Sequence, residues 1–253
     1  LQKLFFRELF YFMCGINGFN FNDFELIKKM SSLTYSRGPD FEGFFNSENY
    51  SVAHNRLAII DPENRSNQPF IFENLILSFN GEIYNYKELK EKLKVKGYSF
   101  VTNSDTEVIV KLFHAFGIES FKMLSGIFAI SVYDKNLNTI YLIRDHIGVK
   151  PLYYYHNNNK FIFSSLIKPL IIASKSKSLN LNAINSYSNF NRNDYKETFF
   201  KNIFKVLPGE LIIFSKNNIK FQKFLNFNFN KKFEKKNFKK DICNYFNKQF
   251  ISD

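Results

Sequence analysis

The sequence is poor in cysteine and lacks tryptophan altogether. Its 253 residues include only two cysteines, Cys14 and Cys243, which are too few to build a disulfide framework. Neither stands in a CxxC or Cys/His spacing of the kind that binds zinc, so no metal site is predicted. Because disulfides form mainly in oxidising compartments, this composition favours a reduced, cytoplasmic protein.

Long apolar runs are also missing. No stretch approaches the roughly 18 residues needed to span a bilayer. The opening LFFRELFYF is largely apolar, but Arg7 and Glu8 interrupt it and no small-residue cleavage site follows, unlike in a signal peptide. The sequence therefore predicts neither a membrane partner nor secretion.

Positive charge is in excess, with a net charge of +12. Such a charge attracts nucleic acid or an anionic membrane when it forms a patch. Here the lysines cluster late, in residues 201–240, whereas most acidic residues lie earlier. A basic tail or linker accounts for the excess, and no nucleic-acid partner is expected.

Helical segments and short β-rich runs occur in a mixed order. Strands in hairpins and helices in pairs favour layered sheets flanked by helices over a parallel doubly wound sheet, so the predicted class is α+β. The predicted strands include residues 41–45, 51–60, 70–79, 127–133, 139–143, 153–155, 161–163 and 211–214. The predicted helix starts pair a capping residue with a glutamate three positions later, at Asn22 and Glu25, Asn85 and Glu88, and Ser104 and Glu107.

Composition divides the chain into four parts. Residues 1–13 are predicted to be an N-terminal extension that is absent from the mature protein. Residues 14–215 form the main domain. Residues 216–236, rich in Lys, Asn and Phe, have the profile of a linker, and residues 237–253 show helical spacing that predicts the first piece of a truncated second domain.

Cys14 follows Met13 and opens the segment CGINGF. If Cys14 becomes the first residue, its thiol can attack while its own α-amine, with a reference pKa of about 7.7 to 8.0, transfers the proton. While residues 1–13 remain attached, this amine does not exist. Taken alone, a free cysteine is more often a small buried hydrophobe.

Four further residues suggest a site for an α-amino acid with a side-chain carbonyl. Asn80 and Gly81, placed in a predicted loop between a strand and a helix, can offer an amide and a backbone N–H to an oxyanion. Arg56 can hold a carboxylate through two parallel hydrogen bonds, and Asp105 can bind an ammonium group. Each also has a structural explanation: a turn glycine, a surface arginine and a favourable helix-dipole charge.

The ordered motifs resemble the N-terminal glutaminase domain of glutamine-hydrolysing asparagine synthetases, which are class II amidotransferases. The resemblance covers residues 14 to about 215. In order, it rests on CGINGF (14–19), RGPD (37–40), HNRLAIID (54–61), QPF (68–70), NGEIYN (80–85), SDTE (104–107), GIFAISVYD (126–134), RDHIGVKPLYY (144–154) and LPGE (207–210).

This resemblance implies an N-terminal-nucleophile hydrolase fold, a four-layer αββα sandwich with two antiparallel sheets. It also implies that the chain hydrolyses L-glutamine to glutamate and ammonia through a cysteinyl thioester. Asp40 is expected to shape the site. The implied catalytic residues are Cys14, Asn80 and Gly81, and the implied glutamine-binding residues are Arg56, Leu57, Ala58, Ile59, Ile60, Asn80, Gly81, Glu82 and Asp105.

In the complete family enzyme, a synthetase domain uses ATP and Mg to amidate aspartate with the ammonia. That domain's Ser-Gly-Gly-x-Asp-Ser loop is not in this sequence, so the chain itself is expected to need no cofactor and to partner the missing domain. Ser36 replaces the His that usually precedes RGPD in the family. Three alternatives stay open: another ammonia acceptor, a catalytically silent interaction module, and a homodimer.

Overall fold

The computed structural model describes residues 13–190 and 196–224. Residues 1–12, and with them most of the predicted extension, lie outside the described residues, as do residues 225–253. None of the helices in the described part combines the length and apolarity required to cross a membrane.

The first half contains β1 (Gly15–Phe19), α1 (Phe24–Ser32), β2 (Phe41–Ser47), β3 (Tyr50–Arg56), β4 (Phe70–Phe72), β5 (Leu75–Ile83), α2 (Tyr86–Val95) and α3 (Asp105–Phe116).

The second half is dominated by hairpins. It contains β6 (Gly126–Asp134), β7 (Thr139–Arg144), β8 (Tyr153–Asn157), β9 (Lys160–Ser164), α4 (Ile167–Ser174), α5 (Leu181–Phe190), β10 (Ile203–Lys205), β11 (Glu210–Ser215) and β12 (Asn218–Lys223).

In the part of the chain that the structure describes, two antiparallel six-stranded sheets form the centre of the domain. The first has the strand order β10-β8-β9-β1-β3-β2, and the second has β12-β11-β7-β6-β5-β4. Strand β1 is interior, because it pairs with β3 on one side and with β9 on the other. The start of β1, where Cys14 stands, is thereby fixed between two neighbours.

Alternation along the strands supplies an apolar face on each side of both sheets. Residues such as Val52 of the first sheet and Ile76 of the second form a core between the sheets. On the outer face of the first sheet, Ala53 packs in a cluster with helices α1 and α4. On the outer face of the second, Leu77 packs in a cluster with α2 and α3. The predicted α+β class and four-layer αββα sandwich are confirmed.

The helix starts differ from the predicted capping boxes in all three places. Asn85 is the N-cap of α2, but its side chain bonds to Met123 O and Ser125 N and makes no cap hydrogen bond. The N-cap of α1 is Asp23, whose Oδ1 accepts from Leu26 N at 2.9 Å, and not Asn22. Ser104 does cap α3 by accepting from Thr106 N. Its expected partner Glu107 is instead buried, where it accepts from Thr102 N at 2.7 Å and pairs with Lys111. The charged partner Lys111 thus draws Glu107 away from the cap.

Two predicted segment boundaries also change. The segment 80–83 belongs to strand β5 and is paired with β6, so Asn80 and Gly81 are not in a loop. Residues 218–223, inside the predicted linker, form β12 and pair with β11. The two-residue turn Lys216-Asn217 has positive φ at both positions, as in a type I′ hairpin, and allows the chain to fold back.

Candidate active site

A cavity of about 120 Å³ opens beside the start of β1. Nine of the ten predicted site residues line it: Cys14, Arg56, Leu57, Ile59, Ile60, Asn80, Gly81, Glu82 and, from the start of α3, Asp105. Ala58 is not among the lining residues, and its backbone N–H donates to Asp40 Oδ2 at 2.8 Å. Asp40 therefore supports the loop that forms one wall.

Cys14 is half-buried, and its Sγ accepts a hydrogen bond from Leu57 N at 3.3 Å. The Cys14 carbonyl accepts from Arg37 Nε at 3.1 Å, which fixes the backbone just before β1. Burial raises the pKa of the Cys14 thiol, although the Leu57 N–H and the charge of Arg56 oppose that shift. The thiol is therefore protonated at neutral pH and needs a base to become a nucleophile.

The Asn80 side chain lies on β5 and is buried, with an exposed fraction of 1%. Its Nδ2 has no hydrogen-bond partner among the described residues. An unsatisfied buried donor costs about 1–3 kcal/mol, so native structures rarely contain one without a reason. In the cavity, this donor is available to an acceptor oxygen on a ligand.

Position 81 requires glycine for two reasons, its backbone conformation and the lack of space for a side chain. Its φ is +151°, and an added Cβ would come within 2.0 Å of the Ile127 carbonyl oxygen. Strand β6 therefore lies too close for a side chain at this position. Glycine allows the backbone of β5 to bend at the cavity while it stays paired with β6.

The outer edge of β5 carries the backbone groups that face away from β6. On this edge, Phe79 N–H donates to Gln68 Oε1 at 2.6 Å and Ile83 N–H donates to Asp105 Oδ2 at 3.1 Å. Alternation along an antiparallel strand places the Gly81 N–H on the same edge, between these two. The Gly81 N–H and the Asn80 side chain thus belong to consecutive residues of one cavity wall.

Arg56, at the end of β3, uses its guanidinium to organise a loop. Nη1 donates to Glu63 O and Asn67 Oδ1, and Nη2 donates to Ile60 O and Asp61 O at 2.6–3.2 Å. Both terminal nitrogens of the guanidinium donate to this loop. The observed arrangement therefore differs from the two-pronged contact with a carboxylate that the sequence predicted. Arg56 still brings positive charge to the cavity and rigidifies its wall.

Asp105 is buried at the first position of α3. Burial raises its pKa to about 7, although hydrogen bonds from Ile83 N and Thr106 N oppose that shift and the nearby Glu82 adds to it. The carboxyl group is therefore close to half-protonated at neutral pH. A cation bound beside Asp105 and Glu82 would favour the ionised form.

Lys150 and Gln68 also line the cavity, and the sequence reasoning assigned neither a role. Lys150 Nζ contacts Met13 Sδ at 3.1 Å, and burial lowers the pKa of this lysine. Asp145 holds the segment by accepting from Val149 N and Lys150 N. Both residues stand within the quoted motifs QPF and RDHIGVKPLYY, which was the available signal.

The fold is similar to that of two solved structures. One is described as the allosteric regulatory enzyme of purine biosynthesis; it has a TM-score of 0.65 and 19% identity, over 85% of this chain and 50% of the other. The second is glutamine phosphoribosylpyrophosphate amidotransferase from Bacillus subtilis with ADP and GMP; it has a TM-score of 0.59 and 19% identity, over 84% and 49%. These similarities concern the fold alone, and they agree with the N-terminal-nucleophile hydrolase fold predicted from the sequence.

The sequence narrows the class further. Residues 13–225 match the glutamine amidotransferase domain family, and the chain belongs to that family. It is 38% identical over 208 residues to glutamine-hydrolyzing asparagine synthetase 1 of Bacillus subtilis, covering 81% of this chain and 33% of that protein. To the synthetase of the same name from Arabidopsis thaliana it is 40% identical over 150 residues, covering 56% and 25%. The chain thus spans about a third or less of the length of these two relatives.

Proposed function

We propose that the domain hydrolyses L-glutamine to glutamate and ammonia, with Cys14 as the nucleophile and a glutamyl thioester as the intermediate. The observation that carries the proposal is the unpartnered Asn80 Nδ2 in the cavity that also contains Cys14. A ligand oxygen that accepts from this donor recovers the hydrogen bond that the folded chain leaves unmade. Membership of the glutamine amidotransferase domain family supports the same reaction.

The reaction proceeds in two steps that share one site. Cys14 Sγ attacks the side-chain carbonyl carbon of glutamine as its proton passes to the α-amine of Cys14, and Asn80 Nδ2 and Gly81 N–H stabilise the oxyanion. The amine returns the proton to the leaving nitrogen, so that ammonia departs and the thioester remains. Water, deprotonated by the same amine, then cleaves the thioester to give glutamate and the free thiol.

The remaining cavity residues orient the substrate. Asp105 and Glu82 lie together in the wall and bind the α-ammonium of glutamine. Arg56 attracts the α-carboxylate through its charge, while its hydrogen bonds keep the loop from Ile60 to Asn67 in place. Leu57 and Ile59 provide the apolar wall along the substrate's methylene groups.

The mechanism requires a free α-amine on Cys14. In the chain as it stands, Met13 is joined to Cys14, and its N–H donates to Arg37 O at 2.7 Å. The proposed active form therefore begins at Cys14, with residues 1–13 removed or never translated. This same attachment favours the second candidate function, a catalytically silent interaction module, for any form that keeps residue 13.

The use of the ammonia is proposed from the relatives. They are named as glutamine-hydrolyzing asparagine synthetases and extend well beyond this chain. We propose that a synthetase domain, which would hold ATP and Mg, receives the ammonia for the amidation of aspartate. The described cavity residues would take no part in that second reaction.

The decisive experiment compares two forms of the chain. A version whose start codon is Met13 is checked by mass spectrometry for exposure of Cys14, incubated with glutamine, and assayed for ammonia and glutamate. We expect equal amounts of both products, and a decrease of the rate to below about a thousandth in Cys14→Ala. The control Cys243→Ala should keep the rate, and a version that retains residues 1–13 should be inactive. Undiminished ammonia release by Cys14→Ala would refute the proposal.

A further inference from the structure

The two backbone polar groups of Phe79, the residue before Asn80, are each held by a side chain from elsewhere in the fold. Phe79 N–H donates to Gln68 Oε1 at 2.6 Å, and the Phe79 carbonyl oxygen lies 2.9 Å from His54 Nε2. Gln68 comes from the segment before β4, whereas His54 belongs to β3 of the opposite sheet. The two contacts thus fix both polar groups of Phe79, directly beside the two proposed oxyanion donors.

These side chains replace the hydrogen bonds of a neighbouring strand. On its outer edge, β5 pairs with β4 only from Leu75 to Leu77. Beyond Leu77 no strand within residues 13–190 and 196–224 pairs with this edge, although its backbone groups must still be satisfied. Gln68 and His54 meet this need at Phe79, and so they determine the direction in which β5 enters the cavity.

His54 is suited to a fixed donor role. It is fully buried, and burial lowers its pKa to about 4, so the ring is neutral at neutral pH. Because the Phe79 carbonyl can only accept, Nε2 carries the proton. Nδ1 is buried without a hydrogen-bond partner among the described residues, so the ring has a single polar contact.

Gln68 is suited to a fixed acceptor role. It is buried, and its Nε2 donates to Thr106 Oγ1 at 3.3 Å, which orients the amide so that Oε1 faces Phe79 N–H. Thr106 follows Asp105 in α3, and Asp105 accepts from Ile83 N–H farther along the same strand edge. Helix α3 and strand β3 thereby support this part of β5 from two sides.

We propose that His54 and Gln68 are positioning residues that hold Asn80 Nδ2 and Gly81 N–H in the geometry required by the oxyanion. The inference rests on the proposed glutaminase function and adds two residues that do not themselves contact the reacting atoms. Oxyanion donors act only when they are preorganised, since the transition state gains nothing from donors that must first reorient. Loosening the backbone at Phe79 should therefore slow the reaction of Cys14 with glutamine without changing the thiol itself.

The test separates the oxyanion donors from the thiol. In the version that starts at Met13, His54→Leu removes the donor and Gln68→Met removes the acceptor. His54→Gln and Gln68→Glu keep a donor and an acceptor at similar reach. Each variant is assayed for kcat and KM with glutamine, and for the rate at which iodoacetamide alkylates Cys14, which forms no oxyanion. Thermal melting checks the fold.

We expect His54→Leu and Gln68→Met to lower kcat by about tenfold or more while KM and the alkylation rate stay within about twofold. His54→Gln and Gln68→Glu should recover part of the lost kcat. If His54→Leu fails to fold, His54→Asn serves in its place, because its amide nitrogen sits near the Nδ1 position and cannot reach Phe79 O. If kcat stayed unchanged in His54→Leu and Gln68→Met, or if kcat and the alkylation rate fell in parallel, the positioning role would be overturned. The proposed glutaminase function would be unaffected by either result. A wild-type chain that is alkylated at Cys14 but releases no ammonia would reject the proposed function, and this inference with it.

Discussion

At the scale of single residues, Asp105 illustrates how a residue of the proposed substrate site can lower the stability of the fold. Its carboxyl group is buried, and its pKa is raised from 3.8 to about 7. The folded chain therefore holds a proton that the unfolded chain releases near pH 4. Stability falls as the pH rises between these two values, because ionisation inside the protein is disfavoured. Such a cost is tolerated where the charge is needed for a ligand.

Asp105→Asn should remove this cost and the proposed ammonium partner together. The variant should match the wild type in free energy of unfolding at pH 4 and exceed it by on the order of 1–3 kcal/mol at pH 8, as measured by urea denaturation. Its KM for glutamine should rise at least about tenfold through loss of the charge pair. An equal difference in stability at both pH values would contradict the assignment.

The wild-type KM for glutamine provides a second measurement of the same group. It should rise as the pH falls below about 7, because protonation removes the negative charge that binds the ammonium. In Asp105→Asn this pH dependence should be absent. A wild-type KM that does not vary between pH 6 and 8 would argue against Asp105 as a ligand.

The sequence predicted the site's residue types better than their geometry. Cys14, Asn80, Gly81 and Asp105 do line one cavity, as the choice of a nucleophile, oxyanion donors and an amine partner required. The two-pronged contact of Arg56 with a carboxylate stays a prediction, and the guanidinium bonds to a loop whose path no local pattern reveals. Gln68 was overlooked for a related reason: its importance depends on where β4 stops pairing with β5.

At the scale of secondary-structure elements, the β11–β12 hairpin shows why one strand, β12, was not predicted from the sequence. Residues Asn218–Lys223 alternate polar side chains with the apolar Ile219 and Phe221, but nearly all of them are exposed, and the Lys- and Asn-rich composition around them predicted a linker. The turn Lys216-Asn217 also lacks the Asn-Gly or Asp-Gly pair that signals a type I′ turn. Strands β6 and β7 were predicted because each is a strongly apolar run and the turn-like segment Asn136-Leu137-Asn138 lies between them.

Replacing the turn with Lys216→Asn and Asn217→Gly should stabilise this hairpin. Both positions have positive φ, at 49° and 62°, where Asn and Gly are less strained than most residues. We expect the free energy of unfolding to increase by about 0.5–1.5 kcal/mol in urea denaturation. The control Asn217→Val, which places a β-branched residue at φ 62°, should destabilise the chain. If the double change lowered the free energy of unfolding and Asn217→Val raised it, β12 would not be paired with β11 as described.

At the scale of the whole molecule, the two sheets depend on contacts between residues far apart in the sequence. Asn17 of β1 pairs with Ser164 of β9, for example. The mixed order of helices and hairpins sufficed to predict a layered α+β fold. Strand order could not follow from local patterns, because periodicity identifies strands but not which of them are neighbours across such separations.

Tyr50 joins the two sheets through its ring and its hydroxyl group. It stacks on Tyr133 with ring centroids 4.3 Å apart, and its hydroxyl lies 2.9 Å from Ser131 Oγ in the opposite sheet. Tyr50→Phe should lower the free energy of unfolding by about 1–2 kcal/mol, since it leaves the buried Ser131 hydroxyl without this partner. Adding Ser131→Ala should cost less than the sum of the single changes in a double-mutant cycle. Strictly additive losses would show that the bond does not link the sheets.

An unpaired strand edge is usually a template to which another chain can add a strand. The edge of β5 beside the cavity is protected, because Gln68, His54 and Asp105 already bond its outward-facing groups on either side of Gly81. An incoming peptide would have to displace all three side chains, whereas a small molecule needs to reach only one position. The same arrangement that orients the proposed donors thus lets a single amide group enter and keeps the sheet closed to aggregation.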